Sequence, residues 1–67
     1  MKLYDIPKQS KIKCECSDGS EYIIFHHIDG MYSYCLSEKG SVTHLSACTP
    51  LIKEDDHYLI DNPKTND

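Results

Sequence analysis

The stretch Glu21-Tyr22-Ile23-Ile24-Phe25-His26-His27-Ile28-Asp29-Gly30-Met31-Tyr32-Ser33-Tyr34-Cys35-Leu36 decides how this chain folds. It holds two runs rich in β-branched and aromatic residues, 21–28 and 31–36, separated by Asp29-Gly30. Such side chains suit a pleated, half-buried backbone. Asp-Gly between them is a hairpin signal, because glycine accepts the positive φ of a tight turn. The same signal recurs upstream. Lys11-Ile12-Lys13-Cys14-Glu15-Cys16 alternates polar and apolar residues and runs into Asp18-Gly19. Period-two alternation marks a strand with one buried face. Downstream, Gly40 closes a loop before the short run Ser41-Val42-Thr43-His44-Leu45. A connector over 46–50, an apolar start at Leu51-Ile52 and a solvated turn at Glu54-Asp55-Asp56 lead to a last strand, His57-Tyr58-Leu59-Ile60.

Register follows if each Asp-Gly pair occupies a loop centre. Ile12 then faces Phe25 and Cys14 faces Ile23, while across the second hairpin Phe25 faces Tyr34 and Ile23 faces Leu36. A loop over 38–40 sets Leu36 opposite Val42. The predicted core face is therefore Ile12, Cys14, Ile23, Phe25, Tyr34, Leu36 and Val42. The opposite face carries Lys11, Lys13 and Glu15, but also Tyr22, Ile24, Ile28, Met31, Cys35 and Leu45. A one-residue slip would exchange the faces. The apolar leftovers predict a strongly curled sheet, or cover from 3–7 or 51–60.

These elements predict an all-β chain: a small curled antiparallel sheet or a five-stranded barrel, with 1–60 as one domain and 61–67 as a frayed polar tail. Closing the sheet would remove its exposed edges. The order of three meander hairpins, a short turn and a last strand over 11–60 resembles that of SH3-like small barrels. The SH3 ligand site needs a tryptophan, and this chain has none, so the resemblance does not extend to proline-rich peptides. In size and style the chain also resembles accessory proteins of tailed phages, which implies a host cytoplasm as its location. A three- or four-stranded antiparallel sheet covered by the terminal segments is the second architecture the pattern allows.

With 67 residues, 39% hydrophobic and 27% charged, the composition is that of a folded domain. The length excludes nucleotide-binding α/β domains, TIM barrels and kinases. No run approaches the roughly 20 apolar residues that cross a bilayer. Met1 to Pro7 lacks the apolar core of a signal peptide, so a cytoplasmic location is expected. Seven lysines and no arginine stand against eleven acidic residues, for a formal charge of −4. Without arginine the chain lacks the fork that reads phosphate and guanine, and its acidity repels a polyanion. Nucleic acid is thus a disfavoured partner, and a basic protein surface suits better.

No Gly-x-Ser-x-Gly, His-Glu-x-x-His or glycine-rich phosphate loop is present. Ser33, His26 and Asp29 make a triad only on paper. The chain reads as a non-enzyme without a cofactor. Cys14, Cys16, Cys35 and Cys48 could hold a stapling zinc, but no Cys-x-x-Cys knuckle exists. The register also places Cys35 on the face opposite Cys14 and Cys16, so free thiols are expected. Strand alternation sends His26 and His27 to opposite faces, which argues against their sharing a metal.

The leading expectation is a protein-interaction module that binds and modulates a larger cytoplasmic protein through Tyr32, His26, His27, Ile28 and Met31. A second is a single-stranded nucleic-acid binder that stacks bases on Tyr32 and Tyr34 beside Lys11 and Lys13. A zinc-stapled adaptor using the four cysteines is a third. Ile24, Ile28, Met31 and Leu45 together predict a symmetric homodimer.

Overall fold

The computed structural model describes residues 1–61. The predicted tail over 61–67 lies outside the described residues from position 62 onward. Six strands form one mixed sheet: β1 (Lys11–Lys13), β2 (Tyr22–Asp29), β3 (Tyr32–Ser37), β4 (Val42–Thr43), β5 (Leu51–Lys53) and β6 (Tyr58–Ile60). A single 3₁₀ turn, Leu3–Asp5, precedes them. The strands lie side by side in the order β4-β3-β2-β1-β6-β5.

The sheet is open, which corrects both the curled antiparallel sheet and the SH3-like barrel. Leu51-Ile52 opens a strand rather than a covering segment, and β5 and β6 dock as a hairpin. They do so with β6 parallel to β1, Ile12 opposite Tyr58. A barrel of successive antiparallel neighbours needs the last strand to close a ring. Here the hairpin extends the free side of β1, which leaves β4 and β5 as separate edges. Over residues 44–50 the chain leaves β4, runs alongside the start of β3 with Ser46 bridging Tyr32, and then pairs with the N-terminal segment, Pro50 bridging Lys2. Its backbone hydrogen-bonds to β3 through Ser33 N–H and Leu45 carbonyl at 2.7 Å, then to the N-terminal segment through Leu3 N–H and Thr49 carbonyl at 2.9 Å.

That segment and the 3₁₀ turn cover one face. Leu3, Ile6, Ile12, Ile23, Phe25, Cys35, Leu51 and Tyr58 form the core cluster, with Cys14, Cys16, Leu45 and Ile60 packed on its margin. Burying a side chain of this kind contributes about 1.5–3 kcal/mol. Ser33 and Ser37 are buried with them, each supplied with hydrogen bonds. Ser33 Oγ donates to the Leu45 carbonyl at 3.0 Å and accepts from the Leu45 amide at 3.2 Å. Ser37 Oγ donates to Asp18 at 2.6 Å and accepts from the Ser41 amide at 2.9 Å.

The two long hairpins differ from the predicted registers in different ways. In the first, Ile12 faces Ile23 rather than Phe25, a shift of two residues that keeps every side chain on its predicted face. In the second, the loop centre is Gly30-Met31 and the pairing begins at Asp29 with Tyr32. The register then slips by one residue between His27 and Phe25, so that Phe25 faces Cys35 and Ile24 faces Leu36. That slip exchanges the faces of β3 relative to the inner half of β2. Cys35 is fully buried, and Tyr34 and Leu36 are only half-buried, on the opposite side. Leu36 does face Val42, but that pair lies on the uncovered face, with Val42 exposed. Leu45, assigned to the outer patch, packs against the core instead. The dimer patch of Ile24, Ile28, Met31 and Leu45 therefore does not exist as a unit.

Candidate functional site

Consecutive strand residues alternate between faces, unless a bulge sets two residues of one strand against one of its neighbour. Phe25 is opposite Cys35 and His27 is opposite Tyr34, so His26 is the extra residue. The bulge overturns the expectation that His26 and His27 point apart. Their Nδ1 atoms lie 2.7 Å from one another, and their rings meet edge to face at 4.9 Å. His27 stacks on Tyr34, its cross-strand partner, with centroids 5.1 Å apart and planes within 11°. His26 and His44 each meet Tyr34 edgewise at 5.7 Å. His44 is held by a 3.0 Å hydrogen bond from its Nδ1 to the Ser33 carbonyl. Three imidazoles thus surround one phenol on the uncovered face.

The ladder registers place two further rows on that face. Lys11, Ile24, Leu36 and Val42 lie side by side, and so do Ile52, Leu59, Lys13 and Tyr22. The Lys11 ammonium sits 4.6 Å above the Tyr22 ring, a cation–π contact. Tyr22 also meets His57 edgewise at 5.5 Å. His57 Nδ1 bonds Asp56 at 2.9 Å. That hydrogen bond, with Lys11 nearby, holds the Asp56 carboxyl below its ordinary range. Lys13, Cys14, Glu15, Leu59 and Ile60 line an open groove of about 390 Å³.

The residues singled out in the sequence are divided among three places. His26, His27 and Tyr34 come together. Tyr32, Ile28 and Met31 sit exposed at the β2–β3 hairpin end, with Tyr32 opposite Asp29. Lys11 and Lys13 flank Tyr22 rather than Tyr32 or Tyr34. Ile24, which the sequence assigns to the outer face and the dimer patch, lies there beside Leu36 and Val42, which the sequence assigns to the core. No local signal marks the bulge that puts Leu36 and Val42 there.

The four thiols are not gathered. Cys14 and Cys16 are half-buried at the core margin, Cys35 is buried and Cys48 is exposed, all unpaired. Burial raises the Cys35 pKa, opposed by hydrogen bonding from Ser33 and the His26 amide. Cys16 is raised by burial first and by the adjoining Cys14 second. Among the described residues, no group of three or more His, Cys, Asp or Glu is placed to hold a metal ion. The paper triad is also apart, since the Ser33 hydroxyl is buried on the core face against Leu45. No helix of the described residues is long and apolar enough to cross a membrane.

No family model matches the chain, and no curated protein or solved structure shows significant similarity to it.

Proposed function

We propose that this chain is a non-enzymatic protein-interaction module that docks on a larger protein through the uncovered face of β1 to β4. One observation carries the reading: Tyr22, Ile24, His27, Tyr34, Leu36 and Val42 share a sheet face over which none of the described residues packs a second layer. Aromatic side chains on a rigid sheet are good interface anchors, because they bring large contact area with few rotatable bonds. The charge of −4 steers the chain toward a basic partner. Binding and modulating a cytoplasmic protein is the role this proposal assigns.

The reading is tested by parallel capture from lysate with tagged wild-type chain, Tyr34→Ala and Val42→Asp. One protein retained by the wild type and lost by both variants supports it. Equal recovery by all three contradicts it. A second reading draws on Lys11 and Lys13 flanking Tyr22 on the same face as Tyr34, a surface on which single-stranded bases could stack. A salt-sensitive mobility shift with a labelled oligonucleotide, lost in Tyr22→Ala, would favour that reading.

A further inference from the structure

The bulge also brings two imidazole nitrogens together, one of them on the proposed docking face. We propose that the Nδ1 atoms of His26 and His27 form a two-nitrogen chelate for a tetragonal divalent ion, Cu²⁺ or Ni²⁺. The two nitrogens are 2.7 Å apart. An ion about 2.0–2.1 Å from each would see them at an angle of roughly 80–85°, using ordinary metal–imidazole distances. That is close to the right angle between neighbouring positions of a square-planar or tetragonal ion. A tetrahedral zinc site would need the nitrogens about 3.3 Å apart. Two adjacent imidazole nitrogens are the ligand type that Cu²⁺ and Ni²⁺ favour.

Several features hold the pair ready. His26 is exposed, so solvent or a partner's donor can fill the remaining coordination positions. His27 lies against Tyr34, its cross-strand partner. In the metal-free pair, one ring carries its proton on Nδ1 and donates it to the other Nδ1. On metal binding that proton moves to Nε2 of the same ring. Each ring then turns about its Cβ–Cγ bond, swinging its nitrogen by roughly 50° from the other imidazole onto the ion, as the metal–nitrogen distances require. Two neutral imidazoles result, with no net proton released. His44 is not part of the chelate, because its Nδ1 is engaged by the Ser33 carbonyl and Tyr34 lies between.

The test is titration of the purified full chain with cupric chloride, followed by calorimetry and electron paramagnetic resonance. The expected result is one equivalent bound, with a tetragonal spectrum showing coupling to two nitrogens. Losing one of two ligands should weaken binding at least about tenfold in His26→Ala and in His27→Gln. His44→Ala and His57→Ala should stay within about twofold of wild type. Far-ultraviolet circular dichroism verifies that each variant is folded, and the exposed His26 supplies the arm least tied to folding. Copper binding undiminished in His26→Ala, or weakened as much by His44→Ala, would overturn the site. Copper displaces zinc at most nitrogen sites, so the spectrum, rather than preference over zinc, is the measure of geometry.

Discussion

The hairpin joining β1 to β2 and the hairpin joining β2 to β3 both follow an Asp-Gly pair, and they reach different ends. In the first, Asp18 caps its own turn. Its carboxylate accepts the Ser20 amide at 2.8 Å and the buried Ser37 hydroxyl at 2.6 Å, and the ladder beyond runs without interruption. In the second, Asp29 stands in the strand, Gly30 takes the left-handed position at φ 67°, and the ladder breaks at His26. The first hairpin uses its turn to tie down the sheet. The second uses one extra residue to re-aim three, so that His26 and His27 share a side and Cys35 rather than Tyr34 enters the core. A bulge gives up a ladder position and gains a side-chain arrangement that a regular strand cannot make.

The largest effect that could break this comparison is a pair of truncations. Phe25→Ala should cost about 3–5 kcal/mol, as for a buried aromatic, a large part of the stability of a small domain. Tyr34→Ala, which removes a half-exposed ring and its stack on His27, should cost only about 1 kcal/mol. Urea melts of the two variants give the comparison directly. Equal costs would place Tyr34 in the core and remove the slip.

Thiol labelling sharpens the same point. Under native conditions Cys48 should react fastest, and Cys35 only as fast as the domain opens. A Cys35 that labels along with Cys48 would return it to the outer face.

How far the fold could be read in the sequence divides along the same line. The strands of both hairpins, the Asp-Gly punctuation and the core positions Ile12, Ile23 and Phe25 follow from period-two patterning. The first register differs from the patterned one by two residues, which the pattern cannot detect because parity survives. The second differs by two near the turn and by one over its inner half. A bulge is set by tertiary fit, here with Cys35 and Ser33 buried on the core face, and Phe25-His26-His27-Ile28 carries no mark of it. The open architecture was equally hidden. Parallel pairing of β1 with β6 joins residues far apart in sequence, and three-residue strands such as Leu51–Lys53 barely show a period. Of the site, the sequence marks His26 and His27 as candidates, but regular alternation sends them to opposite faces.

The turn of the first hairpin predicts a pH dependence. The Ser37 hydroxyl first, and the Ser20 amide second, hold the Asp18 carboxyl well below its ordinary value. Its stabilising contribution is therefore fully present above the unfolded carboxylate pKa of about 4, and is lost as pH falls from there through the lower folded value. Asp18→Asn should melt below wild type at pH 7, with the gap narrowing at pH 3. A gap that stays constant with pH would show that the carboxylate charge is not what holds the turn.

The smallest effect is expected on the uncovered face. Val42→Asp should change stability by no more than about 0.5 kcal/mol, as for other exposed positions, while removing the proposed partner contact. Unfolding of this variant in a thermal melt would mean that the β4 edge is covered after all.

The claim on which the rest depends is the slip at His26, and cross-strand nuclear Overhauser effects measure it most directly. Backbone contacts should pair Phe25 with Cys35 and His27 with Tyr34, with His26 unpaired between them. Contacts pairing Phe25 with Tyr34 in an unbroken ladder would contradict the slip, and with it the histidine pair and the assignment of the two faces.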